Sequence, residues 1–232
     1  MQKTSPCLRV HLGQFGYKKH ILGEYSSLAF LTDNLLLVTV NQRTSEKNAD
    51  PWITDLPLST LVGFDVVKRQ ELWKTTMAVM KSPRSVAPLM TENFLVLSSS
   101  VAMLCSTSLS CEKSFPTRGT ITELDADSIK LLKAENLAIR DEDVSNDGTI
   151  SVSSELSTTS IYKISHPLDG IDEPSPGNFL LIRVFDKQSG KTLLSLHLNP
   201  KNHYEALALS PDGAKLAIVR SGVLEVYNRQ RH

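Results

Sequence analysis

The chain has 232 residues, of which 41% are hydrophobic and 22% charged, and its 25 Lys and Arg are balanced by 25 Asp and Glu. This composition is that of a globular protein with a substantial core, and it excludes disordered, collagen-like and coiled-coil chains. A chain with zero net charge has no excess of basic residues for contacts with phosphate groups. We therefore expect no nucleic-acid partner and no polybasic membrane anchor.

The N-terminal residues carry no export signal, because their apolar stretches are too short for the core of a signal peptide. The longest uncharged segment, residues 93–111, has almost the length of a membrane span, but seven of its residues are Ser or Thr. We therefore interpret it as strands and turns, expect no membrane contact, and take the cytoplasm as the default compartment.

Four segments repeat one pattern, in which a short apolar run, a polar cluster and a second apolar run follow one another. Each polar cluster begins with Ser or Thr and continues with Asp, Glu, Asn or Gly, which are turn-forming residues. The flanking runs have the length and the Val, Leu and Ile content of strands. The pattern therefore predicts four β-hairpins, at residues 26–40, 85–100, 142–154 and 204–220.

A second hairpin follows the first in two of these units. A Phe-Asp pair is followed, after six further residues, by a leucine in each unit, at Phe64-Asp65 and at Phe185-Asp186. The residues between each Phe-Asp pair and its leucine include a turn-forming segment. Residues 224–228 repeat the opening of this element near the C-terminus. Two hairpins in one unit make four antiparallel strands, which is the plan of a β-propeller blade.

The last unit contains only three predicted strands, of which residues 223–227 form the third. The N-terminal segment CLRVHL at 7–12 is similar to the outer strand TLLSLHL at 192–198. We therefore predict that residues 1–13 supply the outer closing strand of the last unit and cover its exposed edge.

The segments LSPDGAKLAIVRSGVLEVYN and VFDKQSGKTLLSLHL resemble the Ser-Pro-Asp-Gly repeats of propellers in the tryptophan-aspartate-repeat-like and quinoprotein-like superfamily. The resemblance implies an all-β propeller of four-stranded antiparallel blades, and the length predicts about five of them, within a range of about four to six. We expect one domain over residues 1–232, with blade units at 26–76, 85–116, 118–135, 140–198 and 204–232. The unit at 118–135 is degenerate.

The candidate binding residues lie in long loops and in the connections between the predicted blades. The loops at 41–59 and 153–178 are rich in Pro, Ser and Asp, and Trp52 is either an exposed anchor for a partner or a cap on the core. The connections open toward the central channel of a propeller, and they carry the remaining candidates Arg84, Arg118, His203 and Tyr204.

Two segments imitate ligand-binding loops. Residues 190–192, Gly-Lys-Thr, lack the earlier Gly of a phosphate-binding loop. The acids within residues 141–147 imitate a calcium loop, but Asn146 and Val152 stand where that loop requires Gly and Glu. We interpret both segments as turns.

The three cysteines, Cys7, Cys105 and Cys111, are too few for a disulfide scaffold and lack the spacing of a zinc site. Cys105 and Cys111 flank a turn centred on Ser108, and a symmetric hairpin would place their sulfur atoms opposite each other. Two reduced thiols are the favoured interpretation, and a cross-strand disulfide is the alternative.

We predict a monomeric, non-catalytic propeller scaffold that binds a protein or peptide partner through its loop face. No nucleophile elbow and no acid repeated at equivalent inner-strand positions are present, and we expect no catalytic residue, metal site or cofactor. The alternatives are a metal-dependent propeller hydrolase or lactonase, and a shortened propeller without independent function.

Overall fold

The structure is a computed structural model and consists of short strands joined by polar turns. It describes residues 5–15, 27–41, 58–78, 86–97, 101–116, 143–157, 179–198 and 204–229. These residues form fifteen strands in four antiparallel sheets, and one turn of 3-10 helix at Leu12–Phe15. The described ranges contain no α-helix. The all-β class predicted from the sequence is therefore confirmed.

The strands are, in chain order, β1 (Leu8–His11), β2 (Ser27–Phe30), β3 (Leu35–Asn41), β4 (Leu58–Asp65), β5 (Gln70–Ala78), β6 (Val86–Pro88), β7 (Phe94–Leu97), β8 (Val101–Cys105), β9 (Cys111–Pro116), β10 (Ile150–Ser157), β11 (Phe179–Asp186), β12 (Thr192–Leu198), β13 (Tyr204–Leu209), β14 (Lys215–Arg220) and β15 (Val223–Asn228).

Strands that follow one another along the chain lie side by side in each sheet. Sheet I has the order β2-β3-β4-β5, sheet II the order β6-β7-β8-β9 and sheet III the order β10-β11-β12. Sheet IV has the order β1-β15-β14-β13, so one of its strands comes from the opposite end of the chain. The hairpins predicted at 26–40, 85–100 and 204–220, and the two that follow Phe-Asp, are confirmed.

The hairpin predicted at residues 142–154 lies at the start of sheet III. Its described part consists of the turn, strand β10 and one isolated bridge between Val144 and Ser151. Sheet III thus has three strands in the described ranges, where sheets I, II and IV have four.

Strand β1 pairs with β15 in antiparallel register, as predicted for residues 7–12. Leu8 lies opposite Val226 and His11 opposite Val223, and the amide of Leu12 donates to the carbonyl of Gly222 at 2.8 Å. Both leucines of this segment are buried. The pairing therefore covers the edge of β15 and adds apolar side chains to the core.

A buried charge cluster links β1 to the interior of sheet IV. Glu225, only 2% exposed, accepts a hydrogen bond from Arg220 Nε at 2.6 Å and another from the hydroxyl of Tyr227 at 3.0 Å, and Arg9 of β1 lies 3.5 Å away. Burial alone raises the pKa of Glu225, but the hydrogen bond and charge of Arg220 outweigh it and the net pKa is lowered. The carboxylate is therefore held in its charged form.

The sheets pack against one another in the order III, IV, I, II, and one apolar cluster lies between each neighbouring pair. Successive side chains of a strand point to opposite faces, so β3 directs Leu36 and Val38 toward sheet IV and Leu37 toward sheet II. On the other side of sheet IV, Ile218 packs with Ile182 of sheet III. Strand β13 lies beside β2, and β2 lies beside β6.

The second face of sheet II is buried as well. Leu95 and Ala102 have no exposed surface, and Phe115 is 5% exposed. The buried residues of this cluster all come from sheet II, and no other described sheet contributes to it. The predicted unit at 118–135 lies outside the described residues, which contain four sheets.

Candidate functional site

The Ser-Pro-Asp-Gly turn between β13 and β14 is closed by side-chain hydrogen bonds. The buried hydroxyl of Ser210 donates to Asp212 Oδ1 at 2.6 Å and accepts from the amide of Lys215 at 2.9 Å. The same carboxylate oxygen accepts from the amide of Ala214 at 2.9 Å. Gly213 has φ of 65°, a left-handed conformation that glycine adopts without steric cost.

The turn before β10 has the same construction. Ser145 donates to Asp147 Oδ1 at 2.6 Å and accepts from the amide of Ile150 at 3.0 Å, while the amide of Thr149 donates to Asp147 at 2.9 Å. Gly148 has φ of 73°. Asp147 thus holds the turn, as the turn interpretation of this segment predicted.

These hydrogen bonds keep both turn aspartates charged. Donation by Ser145 and Thr149 lowers the pKa of Asp147 to about 2. For Asp212, burial raises the pKa, but donation by Ser210 and Ala214 outweighs it and the net pKa is lowered. Both carboxylates therefore stay charged well below neutral pH.

The turns of sheets I and II use threonine in place of serine. The amide of Leu35 donates to Thr32 Oγ1 at 3.0 Å, and the amide of Asn93 donates to Thr91 Oγ1 at 3.4 Å. In both turns an acid, Asp33 or Glu92, follows the threonine directly. The acids thus occupy the second position of the turn, where the serine turns have Pro or Asn.

Neighbouring turns are bonded to one another across the sheets. The amide of Asp212 in sheet IV donates to Asp33 Oδ1 in sheet I at 2.8 Å, and the amide of Asn146 donates to the carbonyl of Pro211 at 2.8 Å. The turns at the start of sheets III, IV and I therefore form one connected rim.

One pocket of about 170 Å³ lies where all four turns meet. The second residue of every turn cluster lines it, which none of our sequence predictions anticipated. These four equivalent residues are Asp33, Glu92, Asn146 and Pro211. The four turns predicted separately from the sequence are thus brought to one place, which is the candidate site.

The pocket is lined by apolar residues together with polar and charged ones. Leu31 and Leu89 line it and are almost fully buried, whereas Met90, which also lines it, is 46% exposed. Asp33 is half-buried and Glu92 is exposed. The described lining thus combines two carboxylates with apolar residues.

Four of the five predicted binding residues, namely Trp52, Arg84, Arg118 and His203, lie outside the described residues. Tyr204 is the first residue of β13 and is opposite Arg220. Most of the loops at 41–59 and 153–178 is also outside the described ranges. The contribution of these residues to a binding face stays a prediction.

Cys105 and Cys111 form a disulfide, with the sulfur atoms 2.04 Å apart, in place of the two reduced thiols favoured from the sequence. The two residues are direct partners in the ladder between β8 and β9, where a register shift lies beside Cys105. Cys7 is free and half-buried, and burial raises the pKa of its thiol.

The Gly-Lys-Thr segment forms a hairpin turn between β11 and β12. The amide of Gly190 donates to the carbonyl of Asp186 at 2.8 Å, and the amide of Ser189 donates to Asp186 Oδ1 at 2.7 Å. Strand β12 follows directly, where a phosphate-binding loop would require a helix. The turn interpretation is therefore confirmed.

Within the described ranges, no cluster of three or more His, Cys, Asp or Glu side chains is placed to hold a metal ion. Among the same residues, no helix has the length and apolar character needed to cross a membrane.

No family model matches the chain, and no curated protein matches it either. Among solved structures, a chain of the "Crystal Structure of Mitotic Checkpoint Complex" aligns with a TM-score of 0.31 and 12% identity, over 99% of this chain and 96% of that one. A Pyrococcus horikoshii acylaminoacyl peptidase aligns with a TM-score of 0.25 and 11% identity, over 90% of this chain and 29% of that one. At such low scores, the fold is assigned from the sheets of this chain alone.

Proposed function

We infer that the chain is a β-propeller of about five blades and a non-catalytic scaffold. We further infer that it binds a protein or peptide partner through the end where the hairpin turns meet. The observation that carries this function is that the second residues of four turn clusters line a single pocket. A rigid framework that presents side chains from several turns is a common construction for a recognition surface.

The packing order of the sheets supports the propeller. Sheets III, IV, I and II follow one another face to face, and their inner strands β13, β2 and β6 are neighbours. The second face of sheet II is buried without a contribution from another described sheet. We propose that residues 118–135 supply the unit that lies between sheets II and III.

The bonds between turns support a recognition role, because they hold the proposed binding surface in place. Besides the rim described above, the indole Nε1 of Trp73 in sheet I donates to the carbonyl of Thr107 in sheet II at 2.9 Å. A surface that is already ordered loses little conformational entropy when a partner binds.

The test is a selection of random displayed peptides on the purified full chain, followed by affinity measurements on the enriched peptides by fluorescence anisotropy. We expect enriched peptides to bind wild type and to lose about tenfold in affinity to Met90→Ala, because the truncation removes apolar contact surface at the pocket. The matched control is Leu72→Ala, since Leu72 is 47% exposed, as Met90 is 46%, and lies on edge strand β5 outside the pocket.

Two outcomes would overturn the proposal. One is the absence of any peptide enriched above a folded reference protein. The other is a set of peptides whose affinity responds equally to Met90→Ala and Leu72→Ala, which would place binding elsewhere.

A further inference from the structure

We propose that the turn pocket receives the side chain of a lysine or arginine from the partner. This inference rests on the proposed function and names the chemistry of its recognition site. The size of the pocket, the charge of its lining and the apolar residues that line it all favour such a side chain.

The size of the pocket favours a single side chain over a cofactor. Sites for drug-sized ligands have volumes of about 300–1,000 Å³, whereas this pocket has about 170 Å³. No group of three His, Cys, Asp or Glu side chains in the described ranges suits a metal ion. A side chain that projects from a larger partner fits this volume.

The charge of the lining is negative. Among the described residues, the titratable side chains that line the pocket are Asp33 and Glu92, and the described lining contains no Lys, Arg or His. The amino group of the nearby Lys215 donates to Asn34 Oδ1 at 3.1 Å, and Lys215 is not part of the lining. A cation from a partner would therefore meet two carboxylates that no lining cation neutralises.

Asp33 is held in position. Its Oδ1 accepts the hydrogen bond from the amide of Asp212 at 2.8 Å, which orients the carboxylate relative to sheet IV. A carboxylate has a second acceptor oxygen. The group can thus accept from an ammonium or guanidinium without giving up its bond to the rim.

The apolar part of the lining suits the stem of a long basic side chain. Leu31, Leu89 and Met90 line the pocket together with the two acids, and Met90, which is 46% exposed, is the most accessible of the three. Lysine and arginine pack their methylene stems on apolar surface while their charged ends reach polar partners. A bare inorganic cation would make no use of these carbon atoms.

The experiment uses the peptides enriched on the full chain. Each Lys is replaced by norleucine, which keeps the stem and removes the ammonium, and each Arg is replaced by citrulline, which keeps the shape and removes the charge. We expect one basic position per peptide at which replacement weakens binding to wild type by about tenfold. Because wild type is used throughout, folding of a variant does not affect this measurement.

The protein side is tested with Glu92→Gln and Asp33→Asn, and Glu71→Gln is the control because Glu71 is exposed and outside the pocket. We expect Glu92→Gln and Asp33→Asn to lower the affinity for the parent peptide and to leave the affinity for its neutral analogue unchanged. The control should change neither affinity. Peptides that depend on Met90 but tolerate every replacement of Lys and Arg would overturn this inference and leave the proposed function standing. Failure to enrich any peptide would overturn both.

Discussion

Asp33 and Asp212, 179 residues apart in the chain, are joined by a hydrogen bond of 2.8 Å from the amide of Asp212 to the carboxylate of Asp33. We expect Asp33→Ala to lower the free energy of unfolding by about 1 kcal/mol, because the amide loses its acceptor. Asp33→Asn keeps an acceptor oxygen at this position and should lose less. Equal losses in urea denaturation would show that charge rather than the hydrogen bond stabilises this contact.

Gly213 and Gly148 both have a left-handed backbone, but only Gly213 faces a neighbouring sheet. A Cβ atom at Gly213 would lie 2.8 Å from Cβ of Ile150, whereas one at Gly148 would meet nothing within 4 Å. We expect Gly148→Ala to cost about 1 kcal/mol for the backbone alone. Gly213→Ala should cost about 1–3 kcal/mol more, because it also overpacks the contact between sheets III and IV. Equal midpoints of urea denaturation for the two variants would contradict this contact.

Glu225 provides a third prediction, since it is buried and bonded to Arg220 and Tyr227. Glu225→Gln should lower the free energy of unfolding by about 3 kcal/mol, because the partly buried Arg220 loses its counter-charge. Arg9→Gln is the control, as the side chain of Arg9 is 59% exposed. That change should cost less than about 1 kcal/mol, as is usual for a surface ion pair. A larger loss for Arg9→Gln than for Glu225→Gln would refute the ranking.

The same cluster predicts a dependence of stability on alkaline pH. Burial, together with the neighbouring Glu225, raises the pKa of Tyr227 from 10.0 to about 12. The unfolded chain then loses the phenolic proton at lower pH than the folded chain does, so stability falls as pH rises from about 10 to about 12. Tyr227→Phe should flatten this part of the curve of denaturation midpoint against pH. An unchanged decline in that variant would assign the effect to other groups.

Removal of residues 1–13 tests the role of β1. The deletion uncovers the edge of β15 and takes the buried side chains of Leu8 and Leu12 out of the core. We expect the shortened chain to self-associate in sedimentation velocity, because an uncovered edge strand pairs with other chains. Deletion of residues 1–4 alone leaves β1 in place and should sediment as the full chain does. A shortened chain that remains a compact monomer would show that β1 is dispensable.

The hairpins were predictable from the sequence because their determinants are local. A Ser or Thr, an acid and a Gly or Asn within four residues specify a turn whose side chains accept from its own backbone amides, as Ser210 and Asp212 do. The pairing of β1 with β15 was predictable for a different reason, namely the similarity of residues 7–12 to the outer strand at 192–198.

The pocket was not predictable in the same way, because it depends on contacts between residues far apart in the chain. Each turn could be recognised alone, but the order in which the sheets pack decides that Glu92 and Asn146 line one space. The signal that could have found the pocket is the repeat itself. The second residues of the four turns occupy equivalent positions in the repeated pattern, although they differ in chemistry. The sequence left the disulfide as an alternative to two reduced thiols, since local register determines whether Cys105 and Cys111 come within bonding distance.

The pairing of β1 with β15 sets an order of events during synthesis. Strand β1 is made before the other three strands of sheet IV, and its partner β15 is the last of the four to be made, so sheet IV is completed only after β15 has emerged. Closing so long a loop costs more conformational entropy than forming a local hairpin does. The pairing of β1 with β15 is therefore slower than the formation of the local hairpins. Until then Leu8 and Leu12 lack the core contacts that they make in the folded chain.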